Sequence, residues 1–133
     1  MSRKHVFSSS AFEEKARYAR AVVQDGWVFV SGTMGQDPDT GKMPDDFTAQ
    51  ARNSFAVIER ALAEAGSGLE DVVRCAVFLK RREDVSALVG LLAEKFDRVR
   101  PANTTVLCEF PAPDALVEIE VTARIGGGRD AGG

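Results

Sequence analysis

From Leu116 to Ile125 the apolar residues Val117, Ile119, Val121, Ala123 and Ile125 alternate with Glu118, Glu120, Thr122 and Arg124. A period of two marks a strand with one buried and one polar face. Val72 to Leu79 reads as a second strand, with Val73, Cys75, Val77 and Leu79 on the core side. Arg20 to Gln24 and Trp27 to Ser31 are β-favouring runs joined by Asp25-Gly26, a dipeptide that accepts positive φ and so predicts a hairpin. Between these strands the period changes to three or four. Phe47, Ala51, Phe55, Ile58, Leu62 and Ala65 form one helical stripe, with Asp45 or Asp46 as cap and Gly66 as stop. A second helix starts near Asp84 and carries Val85, Leu88, Leu92 and Phe96, weakened at Gly90 and ending before Pro101. Residues 35–44 are dense in turn formers and read as an exposed loop; Thr104 to Phe110 reads as a further strand.

The resulting order, β-β-α-β-α-β-β, predicts an α/β (α+β) fold in which two helices cover one face of a mixed sheet. The other face then needs a cover. Phe78 and Leu107 are assigned to it, and a second copy of the chain is the natural partner. Residues 1–125 suit a single domain, and the glycine-rich tail 126–133 has nothing to bury and is expected to be disordered.

With 133 residues and 44% apolar content, one core can close without staples. The formal net charge of −3 offers no polybasic field, so nucleic acid is not an expected partner. The basic start at Arg3-Lys4-His5 is followed by polar Ser8-Ser9-Ser10 instead of an apolar stretch, and no run approaches a membrane span. A cytoplasmic location is the expectation. Cys75 and Cys108 are far apart and read as reduced, buried thiols, and no spacing suggests a metal site. His5, the single histidine, lies in a polar N-terminal segment expected to fray, so a Ser-His-Asp or Cys-His nucleophile is absent. Any hydrolysis must rely on other groups.

One set of residues resembles a known family. Tyr18, Val30-Ser31-Gly32, Gln50-Ala51, Pro101-Ala102 and Val117-Glu118-Ile119-Glu120-Val121 are similar in order and spacing to the RidA/YjgF family, also labelled endoribonuclease L-PSP-like, from about Ala16 to Arg124. The resemblance implies a chorismate-mutase-like fold and a homotrimer with ligand clefts at its subunit interfaces. It also implies small carboxylate ligands and, as in RidA, hydrolysis of enamines and imines such as 2-aminoacrylate to a keto acid and ammonia, with no metal or organic cofactor. By the same resemblance Tyr18, Ser31 and Gly32 line the cleft and Glu118 lies near the reacting water. Three positions depart from the pattern. Asn103 stands where the family has an arginine, Thr105 where a cysteine follows, and Val89 where a helix asparagine is usual.

The arginine matters because a planar guanidinium grips a carboxylate through two charge-assisted bonds, which an uncharged amide cannot imitate. Arg17, Arg20, Arg98 and Arg100 are the nearby substitutes, while the plain reading of Asn103 is a corner-forming residue. Glu118 and Glu120 share a strand face with carboxylates roughly 7 Å apart; for each the alternative is a solvated polar face. Tyr18 is equally suited to a subunit rim, and Thr105 to an ordinary strand position. Gly32-x-x-Gly35 lacks the lysine and helix of a phosphate cradle. Two functions follow: an imine or enamine hydrolase with altered substrate preference, or a trimeric binding protein that keeps the cleft without the chemistry. Ribonuclease activity rests on the family label alone.

Overall fold

A computed structural model of the chain describes residues 2–130, with side chains through 128. Strand β1 (Lys4–Val6) and helix α1 (Ala11–Ala16) precede a hairpin of β2 (Ala21–Gln24) and β3 (Trp27–Met34). Helix α2 (Phe47–Glu64), β4 (Val72–Leu79), α3 (Val85–Phe96), β5 (Ala102–Leu107) and β6 (Val117–Arg124) follow, and a short α4 (Gly127–Asp130) ends the described chain. The six strands form one sheet in the order β1-β2-β3-β6-β4-β5, antiparallel throughout except for the β4–β5 pair. No described helix is long and apolar enough to cross a membrane.

Local chemistry explains most of these elements. Asp25 and Gly26 both take positive φ, 53° and 83°, and close the hairpin as the twist of the strands requires. Asp46 caps α2 by accepting from the Ala49 amide at 3.0 Å, and Gly66 at φ 84° ends it. Phe47, Ala51, Phe55, Ile58 and Leu62 are buried against Val28, Val77, Ile119 and Val121 of the sheet. In α3 the buried positions are Leu88, Leu91 and Phe96, and the Phe96 ring meets Phe55 edge-on at 5.8 Å. Val85 lies at the exposed start of that helix, outside the expected stripe.

The N-terminal segment is ordered where fraying was expected. His5 pairs with Val22 in β1, Val6 is buried, and Ser10 caps α1. Val73 is exposed instead of facing the core, because the β4–β6 register slips between Val72 and Arg74 and the bulge reverses its parity. Leu107 pairs with Leu79 and therefore lies on the helix-side parity, whereas Phe78 pairs with Glu118 and Val106 on the open face. Cys75 is buried and Cys108 only half-buried; burial, reinforced by Glu120, pushes the Cys75 thiol up to about 12, leaving it inert.

The tail also departs from expectation. Gly126 and Gly128 donate backbone N–H groups to the two carboxylate oxygens of buried Asp71, at 3.3 and 2.9 Å, and Ser67 Oγ adds a bond at 2.7 Å. Residues 126–130 are thus a turn and a short helix, and 131–133 lie outside the described residues. Burial alone would raise the Asp71 pKa, but the bonds from Ser67 and from the amides of Gly128, Gly126 and Gly68 outweigh it and hold the carboxyl below the usual range. A depressed folded pKa adds stability above the unfolded value, lost as pH falls through the folded one. Asp71→Ala is therefore expected to cost about 1–3 kcal/mol at neutral pH in urea unfolding. That cost should shrink below about pH 4.

Candidate functional site

Strand β2 accompanies β3 only as far as Ala21 opposite Val30, and beyond this point β3 is flanked by Ala19 and Arg20. The Ser31 amide still donates to the Arg20 carbonyl at 2.9 Å, and Ser31 Oγ to the Ala19 carbonyl at 2.7 Å. On the other side of β3 the pairing with β6 slips between Val30 and Thr33. Ser31-Gly32 therefore forms a bulge beside a strand end, a common way of aiming a side chain at a site.

Glu118 fills the space that the bulge leaves. An ideal Cβ on Gly32 would lie 2.0 Å from Glu118 Oε1, so the carboxylate rests against the glycine backbone and no side chain fits beneath it. The glycine leaves this space to the carboxylate, which any added side chain would push aside. Glu118 is half-buried, and this desolvation raises its pKa; Glu120 raises it further and Arg20 lowers it. A carboxylate shifted toward neutrality is a better proton acceptor than an ordinary one. Glu120, two residues along, is exposed.

Arg20 organises the other cleft residues. Its Nη1 donates to the Gly32 carbonyl and Thr33 Oγ1 at 3.0 and 2.9 Å, its Nη2 to the Tyr18 hydroxyl at 3.3 Å, and its Nε to Glu13 at 3.0 Å. With four of its five N–H groups engaged, Arg20 has no fork left for a substrate carboxylate. Tyr18, Arg20 and Gly32 border a cavity of about 530 Å³ that continues between the N-terminal segment, the 36–41 loop and α2, with Phe7, Phe12 and Met34 among its apolar walls.

Glu118 therefore rests on Gly32, Ser31 precedes that glycine in the same bulge, and Tyr18 is tied to it through Arg20, while Glu118 does not itself border the cavity and Asn103 and Thr105 lie elsewhere. Thr105 pairs with Val77 and Asn103 with Cys75, which places both on the helix-side parity of β5, while Glu118 projects from the opposite face. No helix covers β5, whose six residues are all exposed. Asn103 Nδ2 donates to Thr105 Oγ1 at 2.9 Å, so the two form one small polar unit on an edge strand. Val89 is exposed on α3; Arg17 pairs with Glu14 in solvent, and Arg98 and Arg100 are exposed on the connection to β5. Sequence reasoning missed Glu13 and Arg74. The latter stands on the open face and donates to Thr104 Oγ1 at 2.8 Å. Among the described residues no cluster of His, Cys, Asp and Glu could hold a metal ion.

A helix-backed mixed sheet with a carboxylate seated on a bulge glycine defines an α+β protein with a site at a strand end. The known proteins similar to it narrow that class. The sequence model described as Endoribonuclease L-PSP matches residues 8–125. The RutC family protein UK114 of Drosophila melanogaster is 37% identical over 125 residues, 93% of this chain and 91% of that protein. Rv2704 of Mycobacterium tuberculosis, a member of the YjgF/YER057c/UK114 family, has a similar structure with a TM-score of 0.84 at 36% identity, covering 92% of this chain and 99% of that one. RidA of the Antarctic bacterium Psychrobacter sp. PAMC 21119 gives 0.79 at 29% identity, covering 92% and 94%. The chain belongs to the Endoribonuclease L-PSP family, which embraces the RidA/YjgF proteins.

Proposed function

We propose that the chain is a hydrolase of imines, enamines or a related C–N compound, working in the cytoplasm as a homotrimer whose clefts lie between subunits. The observation that carries the reading is the half-buried Glu118 carboxylate, held against Gly32 with a raised pKa. Such a group accepts a proton from water, and the hydroxide adds to the imine carbon. Glu118 returns that proton to the nitrogen, giving a neutral carbinolamine, then takes the carbinol hydroxyl proton and passes it to the nitrogen as the C–N bond breaks, so that ammonia and a carbonyl product leave. Neither metal nor organic cofactor enters these steps.

The trimer is supported by the placement of the two residue sets. Asn103 and Thr105 lie on the face of the sheet opposite Glu118, so they line a common cleft with it only when they come from a neighbouring copy. The exposed Phe29, Val106 and Leu107 give that neighbour apolar surface to cover.

Asn103 sets the substrate preference. Lacking the charged fork, the cleft favours an imine without a carboxylate at that end. Asn103→Arg is therefore expected to lower KM for 2-iminobutyrate by roughly 30-fold or more, the counterpart of about 2 kcal/mol for a charge-assisted pair. Ammonia release from enzymatically generated 2-iminobutyrate and from an uncharged imine, in the native chain and in Asn103→Arg, tests the reading. A native chain silent on both, with no gain in the variant, would instead favour a trimeric binding protein, the second reading that Asn103 supports. Ribonuclease activity is disfavoured by the net charge of −3.

A further inference from the structure

Glu13 and Arg20 are a buried ion pair, with side chains 3% and 7% exposed. Burying two charges is costly, and an apolar pair of similar volume often serves stability as well or better. Their partners suggest another role. Glu13 accepts from Arg20 and also from the amide and hydroxyl of Ser8, while Arg20 reaches Tyr18, the Gly32 carbonyl and Thr33. Of the bonds that Arg20 makes on the cleft side, one ends on Gly32, against which Glu118 rests, one on the neighbouring Thr33 and one on Tyr18 at the cavity edge. The Arg20 guanidinium also lies 5.5 Å from the centre of the Tyr18 ring, which fixes the ring as well as its hydroxyl.

We propose that Glu13 and Arg20 are a positioning pair for the candidate site: Arg20 holds Tyr18 and the Gly32 backbone in place and supplies the positive field at Glu118, while Glu13 aims Arg20 and moderates that field. The pair touches no reacting atom. It acts through Tyr18, Gly32 and Glu118, and it ties the Ser8–Ala16 segment to the cleft. This deepens the reading of Glu118 as the water-handling group.

The charged groups near Glu118 among the described residues are Glu120 on its own strand and Arg20 from the chain entering β2; Gly32 and Met34 of β3 and Phe78 of β4 bring none. Two substitutions then act in opposite directions. Arg20→Gln removes the positive charge and raises the titration midpoint of Glu118. Glu13→Gln removes the opposing negative charge and lowers it. Arg20→Lys keeps the charge but loses the fork, so the midpoint stays near its native value while kcat falls about 10- to 100-fold through misplacement of Tyr18 and Gly32.

The experiment is ¹³C NMR titration of the Glu118 carboxyl in the native chain and the three variants, with circular dichroism confirming the fold. It needs no turnover, so it fails or succeeds independently of the proposed reaction. Opposite shifts in Arg20→Gln and Glu13→Gln are the expected result, with the acid limb of any pH–rate profile moving likewise. If Arg20→Gln does not fold, the downward shift in Glu13→Gln and the unmoved midpoint in Arg20→Lys remain required. A folded Glu13→Gln with an unchanged or raised Glu118 midpoint overturns the proposal and leaves the pair a purely structural ion pair.

Discussion

Gln50→Leu is expected to destabilise the chain by about 2–4 kcal/mol, because three backbone groups, only partly reached by water, lose their partner at a cost of up to about 1–3 kcal/mol each. The Gln50 side chain is fully buried on α2. Its Nε2 donates to the Pro44 carbonyl at 2.7 Å and to the Asp114 carbonyl at 2.9 Å, while its Oε1 accepts from the Leu116 amide at 2.8 Å. One side chain thus satisfies the loop that enters α2 and the loop that enters β6. Leucine matches the volume and offers no donor or acceptor. The loss is a large share of the 5–15 kcal/mol that typically separates folded from unfolded domains. Urea unfolding checks it: a lower midpoint at unchanged slope is expected, and a difference under about 1 kcal/mol would mean that water replaces the amide. Since Leu116 immediately precedes β6, the same substitution loosens the strand that carries Glu118.

The largest effect on activity is expected at Glu118 itself. Glu118→Gln keeps the size of the side chain and removes its capacity to accept a proton, and general-base assistance of this kind contributes typically 10²–10⁴-fold. Ammonia release should fall by that factor while thermal stability holds, because the carboxylate is half-buried with a pKa raised by that burial, and its charge is not a source of folding energy. Gly32→Ala is a second route to the same loss. Its added methyl occupies the place of Glu118 Oε1, forcing the carboxylate away from the bulge. A Glu118→Gln variant with native turnover would remove this residue from the chemistry and put the base elsewhere in the cleft.

Much of this architecture is legible in the sequence itself. The alternation from Val117 to Arg124 identified β6 and the polar face that bears Glu118, because a strict period of two admits few other readings. Asp25-Gly26 and Asp46 marked the hairpin and the α2 start through local backbone chemistry. What stayed hidden depends on contacts distant in sequence. Strand β1 has three residues and gains its order from pairing with β2, so nothing in its own composition announces it. Val73 was misassigned because a bulge reverses parity without a glycine to signal it, and Leu107 because its partner across the sheet is Leu79. The tail orders on Asp71, some 55 residues earlier in the chain.

The candidate site divides along the same line. Tyr18, Ser31, Gly32 and Glu118 could be named from the family resemblance; in the structure Glu118 rests on Gly32, beside Ser31, and Tyr18 is linked to that glycine through Arg20. Asn103 and Thr105 came from the same resemblance, yet sequence alone could not place them on the opposite face of the sheet. Nor could it disqualify Arg20 as the missing carboxylate grip, since that required its bonds to Glu13, Gly32, Thr33 and Tyr18.

In the proposed trimer a neighbouring copy completes the cleft, with Glu118 from one chain facing Asn103 and Thr105 of the next. Mixed trimers test it most directly. Glu118→Gln removes the base, and Asn103→Trp blocks the β5 side; each variant alone should keep at most about a hundredth of native ammonia release from the preferred imine. Unfolded and refolded together in equal amounts, they should recover about a quarter of native activity, because in random trimers one interface in four joins an intact Glu118 to an intact Asn103. A mixture of confirmed hetero-trimers that stays as inactive as its parents would place the whole site within one chain and rule out a shared cleft.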